Sequence, residues 1–153
     1  MTLTPMAAYR NDIPTYMSPA YVVVSIPQAV SIPNTTDTTI DFTSSGTVEA
    51  HTNDGMFSTS NSDRVTIKRS GLYLATANVS YAADADGYRT VWVVSSSTTV
   101  AEIRIPGYDA VGFLSCSGLF YAETGTAIVL KFRHSAGAAL NLNTARLGVV
   151  MLK

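Results

Sequence analysis

Ile67-Lys68-Arg69-Ser70-Gly71-Leu72-Tyr73-Leu74-Ala75-Thr76-Ala77-Asn78-Val79-Ser80-Tyr81 enters a turn at a glycine and then alternates from side to side for ten residues. Successive side chains of a strand point to opposite faces, so Tyr73, Ala75, Ala77, Val79 and Tyr81 share one face and Leu72, Leu74, Thr76, Asn78 and Ser80 the other. The first set is almost wholly apolar. A long strand with one buried face requires a second layer to cover it, and Gly71 supplies the backbone freedom of a sharp entry turn.

The same grammar runs through the rest of the chain. Short strands are expected at Thr38–Phe42, Thr47–His51, Arg64–Ile67, Arg89–Ser95, Thr99–Ile105, Gly112–Ala122, Ala127–His134, Ala139–Leu142 and Ala145–Leu152. Turns fall between them at Asp54-Gly55, Ala83–Gly87, Ser96–Thr98, Glu123–Gly125, Ser135–Gly137 and Asn143, rich in the residues that turns demand. In the strand from Arg89, Val91 and Val93 oppose Trp92 and Val94, and Trp92 is expected in the core. No ten-residue window carries the 3.6-residue period of an amphipathic helix. The expectation is an all-β, two-sheet jelly-roll sandwich of about ten strands over residues 34–153, closed by Greek-key connections.

Residues 1–33 read differently. Pro5, Pro14, Pro19, Pro27 and Pro33 all fall there. Proline fixes φ and removes a donor, so this segment is expected to be an extended N-terminal arm with at most one short strand, at Tyr21–Ile26. Met6, Tyr9, Tyr16, Met17 and Tyr21 give it an apolar and aromatic load that disordered segments lack, which suits a strap docking on another protein.

Composition removes several function classes. Charged residues make up 14% of the 153-residue chain, against ~25% in an ordinary domain, and the net charge is −1 with no basic run, so no nucleic-acid partner is expected. No stretch approaches the ~20 apolar residues of a membrane span, and the start of the chain lacks the features of a secretory signal, so no membrane partner is expected either. A single cysteine, Cys116, allows no intrachain disulfide and no thiolate metal site, and reads as a buried, inert thiol. His51 and His134 stand beside turns without ligand spacing. No Gly-x-Ser-x-Gly elbow occurs. Asp84-Ala85-Asp86-Gly87 resembles a fragment of a calcium loop but lacks the third acidic position and the distal glutamate, leaving a carboxylate-solvated turn. Asp41, Glu49, Glu102 and Glu123 are scattered and form no visible pair for glycoside hydrolysis. The reading is a non-enzymatic protein with no catalytic residue, cofactor or metal.

Ile67-x-x-x-Gly71-x-Tyr73-x-Ala75 resembles the central signature of the complement-type globular head, the trimeric jelly roll shared with tumour necrosis factor. Tyr121-Ala122-Glu123-Thr124-Gly125-Thr126-Ala127-Ile128-Val129-Leu130 is similar to that family's penultimate region, and Leu147-Gly148-Val149-Val150-Met151-Leu152 to its last strand. The resemblance spans about residues 35–153. Ile67 and Ala75 stand where the animal members prefer aromatics, and no collagen-like repeat lies upstream, which argues against an animal signalling ligand. The neutral, Ser/Thr/Ala-rich form with a proline-spaced arm looks more like copies in virion proteins of tailed bacteriophages. The resemblance implies a homotrimeric capsid decoration protein on the virion surface, made in the host cytoplasm, with the arm docking on the major capsid protein or a neighbouring subunit. In a threefold jelly roll strand faces meet at the axis, and Tyr73, Tyr81, Phe120, Leu130 and Phe132 are the expected trimer seam. The alternative is a tail-fibre tip or adhesin whose loop tyrosines, Tyr88 and Tyr108, stack on a host-cell glycan.

Overall fold

The computed structural model describes residues 19–44 and 48–153. Eleven strands are present among them: β1 Tyr21–Ile26, β2 Val30–Ile32, β3 Thr38–Thr39, β4 Glu49–Thr52, β5 Val65–Thr66, β6 Gly71–Tyr81, β7 Asp84–Ser95, β8 Thr98–Tyr108, β9 Gly112–Ala122, β10 Ala127–His134 and β11 Leu140–Met151, with one 3-10 turn at Thr59–Asn61. The first sheet runs β4-β1-β11-β6-β9, with β2 paired to β11 beyond β1; the second runs β3-β10-β7-β8, with β5 paired to β10. Every pairing is antiparallel. Two antiparallel sheets whose order departs this far from sequence order make the expected jelly-roll sandwich.

The alternation of β6 decides which sheet face is inward. Tyr73, Ala75, Ala77 and Tyr81 are fully buried and Val79 nearly so. They meet Val91 and Val93 of β7 and Ile128, Leu130 and Phe132 of β10 in one continuous core. Tyr73 stacks on Phe120 at 6.1 Å between ring centroids, and Tyr81 lies 6.1 Å from Phe132. Gly71 is needed for a different reason from the one expected. It lacks the positive φ of a turn glycine, but a Cβ there would overlap the Lys153 carbonyl, whose oxygen accepts from Leu72 N (2.8 Å) and holds the chain end against β6.

Four expectations meet a different structure. Residues 21–26 and 30–32 of the expected arm are β1 and β2, built into the first sheet, and Val22, Val24, Ile26 and Ile32 belong to the core. The prolines permit this because Pro27 and Pro33 punctuate the two strands instead of interrupting them. Thr38–Phe42 forms ladder pairs only at Thr38 and Thr39. Asn143 is an irregularity inside a continuous β11, where the register against β6 shifts between Leu142 and Thr144, and not a turn. Trp92 is half-buried on the outer face of the second sheet, opposite Lys131 and Glu102, while Val91 and Val93 take the core side.

Candidate functional site

The outward face of the first sheet is apolar at one end, polar through its middle rows, and carries Phe113, 73% exposed, at its far end. Register places Tyr21 of β1, Val150 of β11, Leu74 of β6 and Leu119 of β9 side by side in one row across four strands. Leu72 and Tyr121 pair in the adjoining row, where Leu152 N donates to Leu72 O at 2.8 Å. Tyr121 is 66% exposed and Leu119 63%, whereas a row on a solvated antiparallel face is ordinarily polar. On the other side of the row come Val23, Gly148, Thr76 and Ser117. Gly148 has no side chain, and a hollow of about 140 Å³ opens over it, walled by Tyr21, Val23, Leu74 and Val150. Beyond lie Ser25, Arg146, Asn78 and Ser115, with Glu49 accepting from Ser25 Oγ (3.4 Å). The described chain begins at the apolar end, where Asn53 Nδ2 donates to the Pro19 carbonyl at 2.8 Å.

This face is not the seam that the sequence suggested. Tyr73, Tyr81, Leu130 and Phe132 are fully buried and Phe120 is 9% exposed within a single chain, so their surfaces are taken by the other sheet and none is left for a neighbour. The residues free to meet a neighbour alternate with them on β6 and β9. Of the expected arm residues, Tyr21 lies at the edge of the apolar face, while Met6, Tyr9, Tyr16 and Met17 fall outside the described residues. Tyr108 is 41% exposed at the end of β8, its ring 6.5 Å from Tyr81. Tyr88 lies on β7 and not in a loop, and the Arg104 guanidinium lies 3.6 Å above its ring.

Side chains with chemical potential are engaged structurally. His134 is fully buried, with Nε2 3.0 Å from Ile32 O and Nδ1 accepting from Ala136 N at 3.4 Å. Asp84 and Asp86 surround an internal cation: the buried Arg89 donates to the carbonyls of Asp84, Asp86 and Tyr88 at 2.9, 2.7 and 3.1 Å. A guanidinium therefore occupies the place a calcium ion would take in such a loop. Asp37 and Glu102 border one groove, where the Asp37 carboxylate is engaged by Arg133 Nη1 at 3.1 Å.

Cys116 lies on a strand as the sequence suggested but is less buried than expected. Half-buried on β9, it is pushed up to about 11 by burial and, secondarily, by the Glu102 carboxylate. Its reaction with a disulfide reagent is expected to be slow at pH 8, where roughly one thiol in a thousand is ionised, and to climb about tenfold per pH unit towards pH 10. A rate that levels off below pH 9 would contradict this. The unfolded thiol ionises first, so this group's contribution to stability is intact below about pH 8.5 and falls as the pH rises towards 11.

No protein-family model matches the chain, and no curated protein matches it in sequence. Solved structures do. An Eiger TNF from S. frugiperda aligns at 12% identity over 88% of this chain and 94% of its own, with a TM-score of 0.55. The globular domain of zebrafish complement 1qA aligns at 14% identity over 89% and 98%, with a TM-score of 0.58. Murine APRIL, at pH 8.0, aligns at 21% identity over 87% and 99%, with a TM-score of 0.60. At these identities the likeness is one of fold: a jelly roll of the tumour-necrosis-factor and complement type.

Proposed function

We propose that the chain is a self-associating structural protein whose heads pack through the outward face of the β4-β1-β11-β6-β9 sheet. The observation that carries this reading is the row Tyr21–Val150–Leu74–Leu119 beside Leu72–Tyr121, six apolar or aromatic side chains contiguous on one sheet face. Contiguous apolar surface of this kind marks an interface, and the Gly148 hollow gives a facing side chain somewhere to seat. A threefold closure follows from the resemblance of the β6 and β11 segments to the trimeric jelly roll. In its finer form the proposal is a capsid decoration protein of a tailed bacteriophage, on the virion surface, with residues 1–18 reaching the major capsid protein or a neighbouring subunit. Low charge, an engaged His134 and an aromatic leader support a mechanical role over a chemical one.

Removing residues 1–18 tests the finer form and keeps every described strand, from Pro19, tied to Asn53, and Ala20, the first buried residue described, onward. The shortened protein is expected to keep its oligomeric mass and to lose co-sedimentation with phage heads, because many weak arm contacts act together through avidity. Undiminished binding to heads would remove the strap from the proposal.

A further inference from the structure

On the opposite side of the sandwich lies a groove that self-association does not use. Asp37, Tyr88, Thr90, Trp92, Glu102, Arg104 and Arg133 line a cavity of about 240 Å³ on the outward face of the second sheet. Its geometry is set by register: Thr90 stands between Arg133 and Arg104 in one row, and Trp92 beside Glu102 in the next. Thr90 is 5% exposed and forms the floor. Arg104 is held flat on Tyr88, its Cζ 3.6 Å from the ring centroid, which fixes its donors at the groove wall. Arg133 Nη1 reaches Asp37 Oδ1 at 3.1 Å, and its Nε is left without an acceptor.

Three properties converge on one ligand chemistry. The indole of Trp92 is half-exposed on a strand face, where a flat apolar surface invites a flat apolar partner. Around it stand two guanidinium donors, two carboxylate acceptors and the hydroxyls of Tyr88 and Thr90, so both hydrogen-bonding senses are present within one small cavity. Among the lining side chains the charges of Asp37, Glu102, Arg104 and Arg133 cancel, and Lys131 stands beyond Trp92 in its row. A pyranose has this complement: a C–H face to lie on an aromatic ring and hydroxyls that donate and accept around its rim. We infer that this groove binds a neutral saccharide, its ring stacked on Trp92 and its hydroxyls held by Arg104, Glu102 and Thr90. The inference is independent of the proposed assembly, since the groove and the apolar face lie on different sheets.

Trp92 is the only tryptophan in the chain, so its fluorescence reports this groove alone. The full-length protein is titrated with glucose, galactose and N-acetylglucosamine, with cellobiose, lactose and chitobiose, and with glucuronate as the anionic comparison. A saturable change in emission with at least one neutral sugar is expected, and a weaker one with glucuronate. Tighter binding of a disaccharide than of its monosaccharide would assign a glycan chain as the source, and equal binding a free sugar; both support the site. Arg104→Ala should weaken the response about tenfold, in line with the ~1.4 kcal/mol that one decade represents. Glu102→Gln, which keeps size and shape, should weaken it while leaving the thermal transition in place. Absence of a saturable response to every neutral sugar, a preference for glucuronate, or full binding by both variants would overturn the inference.

Discussion

Leu119→Asp is expected to leave a folded monomer. Leu119 is 63% exposed at the β9 end of the apolar row, so the substitution removes no core contact and should move the thermal transition by only a few degrees. In an assembly the same side chain is covered. Burying a leucine contributes about 1.5–3 kcal/mol, and a carboxylate in its place must be desolvated at a further cost of similar size or more. A threefold ring repeats the loss at each of its three seams, for a total on the order of 10 kcal/mol, enough to dissociate an ordinary protein complex at micromolar concentration. Light scattering of the variant beside the parent would read the change directly, with circular dichroism confirming the β fold. Ser115→Asp supplies the contrast, because Ser115 lies on the same strand and face but in the polar row with Arg146. It should disturb the mass far less. A Leu119→Asp protein of unchanged mass would move the interface off this face or remove it altogether.

How far the sequence led depended on which face a residue occupied. Strands β1, β9 and β10 follow residue for residue from alternation and turn residues, because a two-residue period with a buried side is a strong local signal. The inward residues of β6 followed in the same way. The proposed interface did not, because the largest rings, Tyr73, Tyr81 and Phe132, are large for the core's sake. The available signal was subtler. Leu72 and Leu74 are apolar on the face that should be polar, and Leu119 and Tyr121 repeat this on β9. A strand apolar on both faces at one end has a second face for the proposed interface to cover. The polar groove was harder to foresee, since Asp37, Arg133, Thr90 and Arg104 are brought together by the order β3-β10-β7-β8, which local pattern does not encode. Trp92 was misplaced by its size: in a strand whose valines already fill the inward positions, parity sends the indole outward.

The bulge at the start of β7, where the register against β8 shifts between Asp84 and Tyr88, rests on one charge, and Arg89→Met should show how much. Arg89 has no exposed surface, lies 5.6 Å over the Tyr81 ring, and places Nη2 3.3 Å from Asp84 Oδ1 while gathering three backbone carbonyls. The tight path around it needs Gly87, which has φ of +68° and where a Cβ would overlap the Ser135 carbonyl. Methionine fills part of the volume but donates nothing, so the carbonyls of Asp84 and Asp86 lose the guanidinium, the Tyr88 carbonyl keeps only the Ser135 N–H at 3.1 Å, and the Asp84 carboxylate loses its counter-charge. Breaking a buried pair by removing one partner costs about 3–5 kcal/mol, a large part of the ~5–15 kcal/mol that holds a domain folded. The midpoint of urea unfolding should fall with an unchanged slope, and the thermal midpoint by about 10 °C for a chain of this length. Arg89→Lys keeps the charge but replaces a planar fork with a single ammonium that cannot reach all three carbonyls, so it should lie between the parent and Arg89→Met. Asp84→Asn should cost least, because that carboxylate is 28% exposed and the carbonyl cage survives it. If Arg89→Met proved nearly neutral, or Asp84→Asn cost as much as it did, the bulge would be held by its backbone path and not by the guanidinium. The ordering Arg89→Met, Arg89→Lys, Asp84→Asn, from most to least damaging, therefore separates a cation that organises the bulge from one that merely fills it.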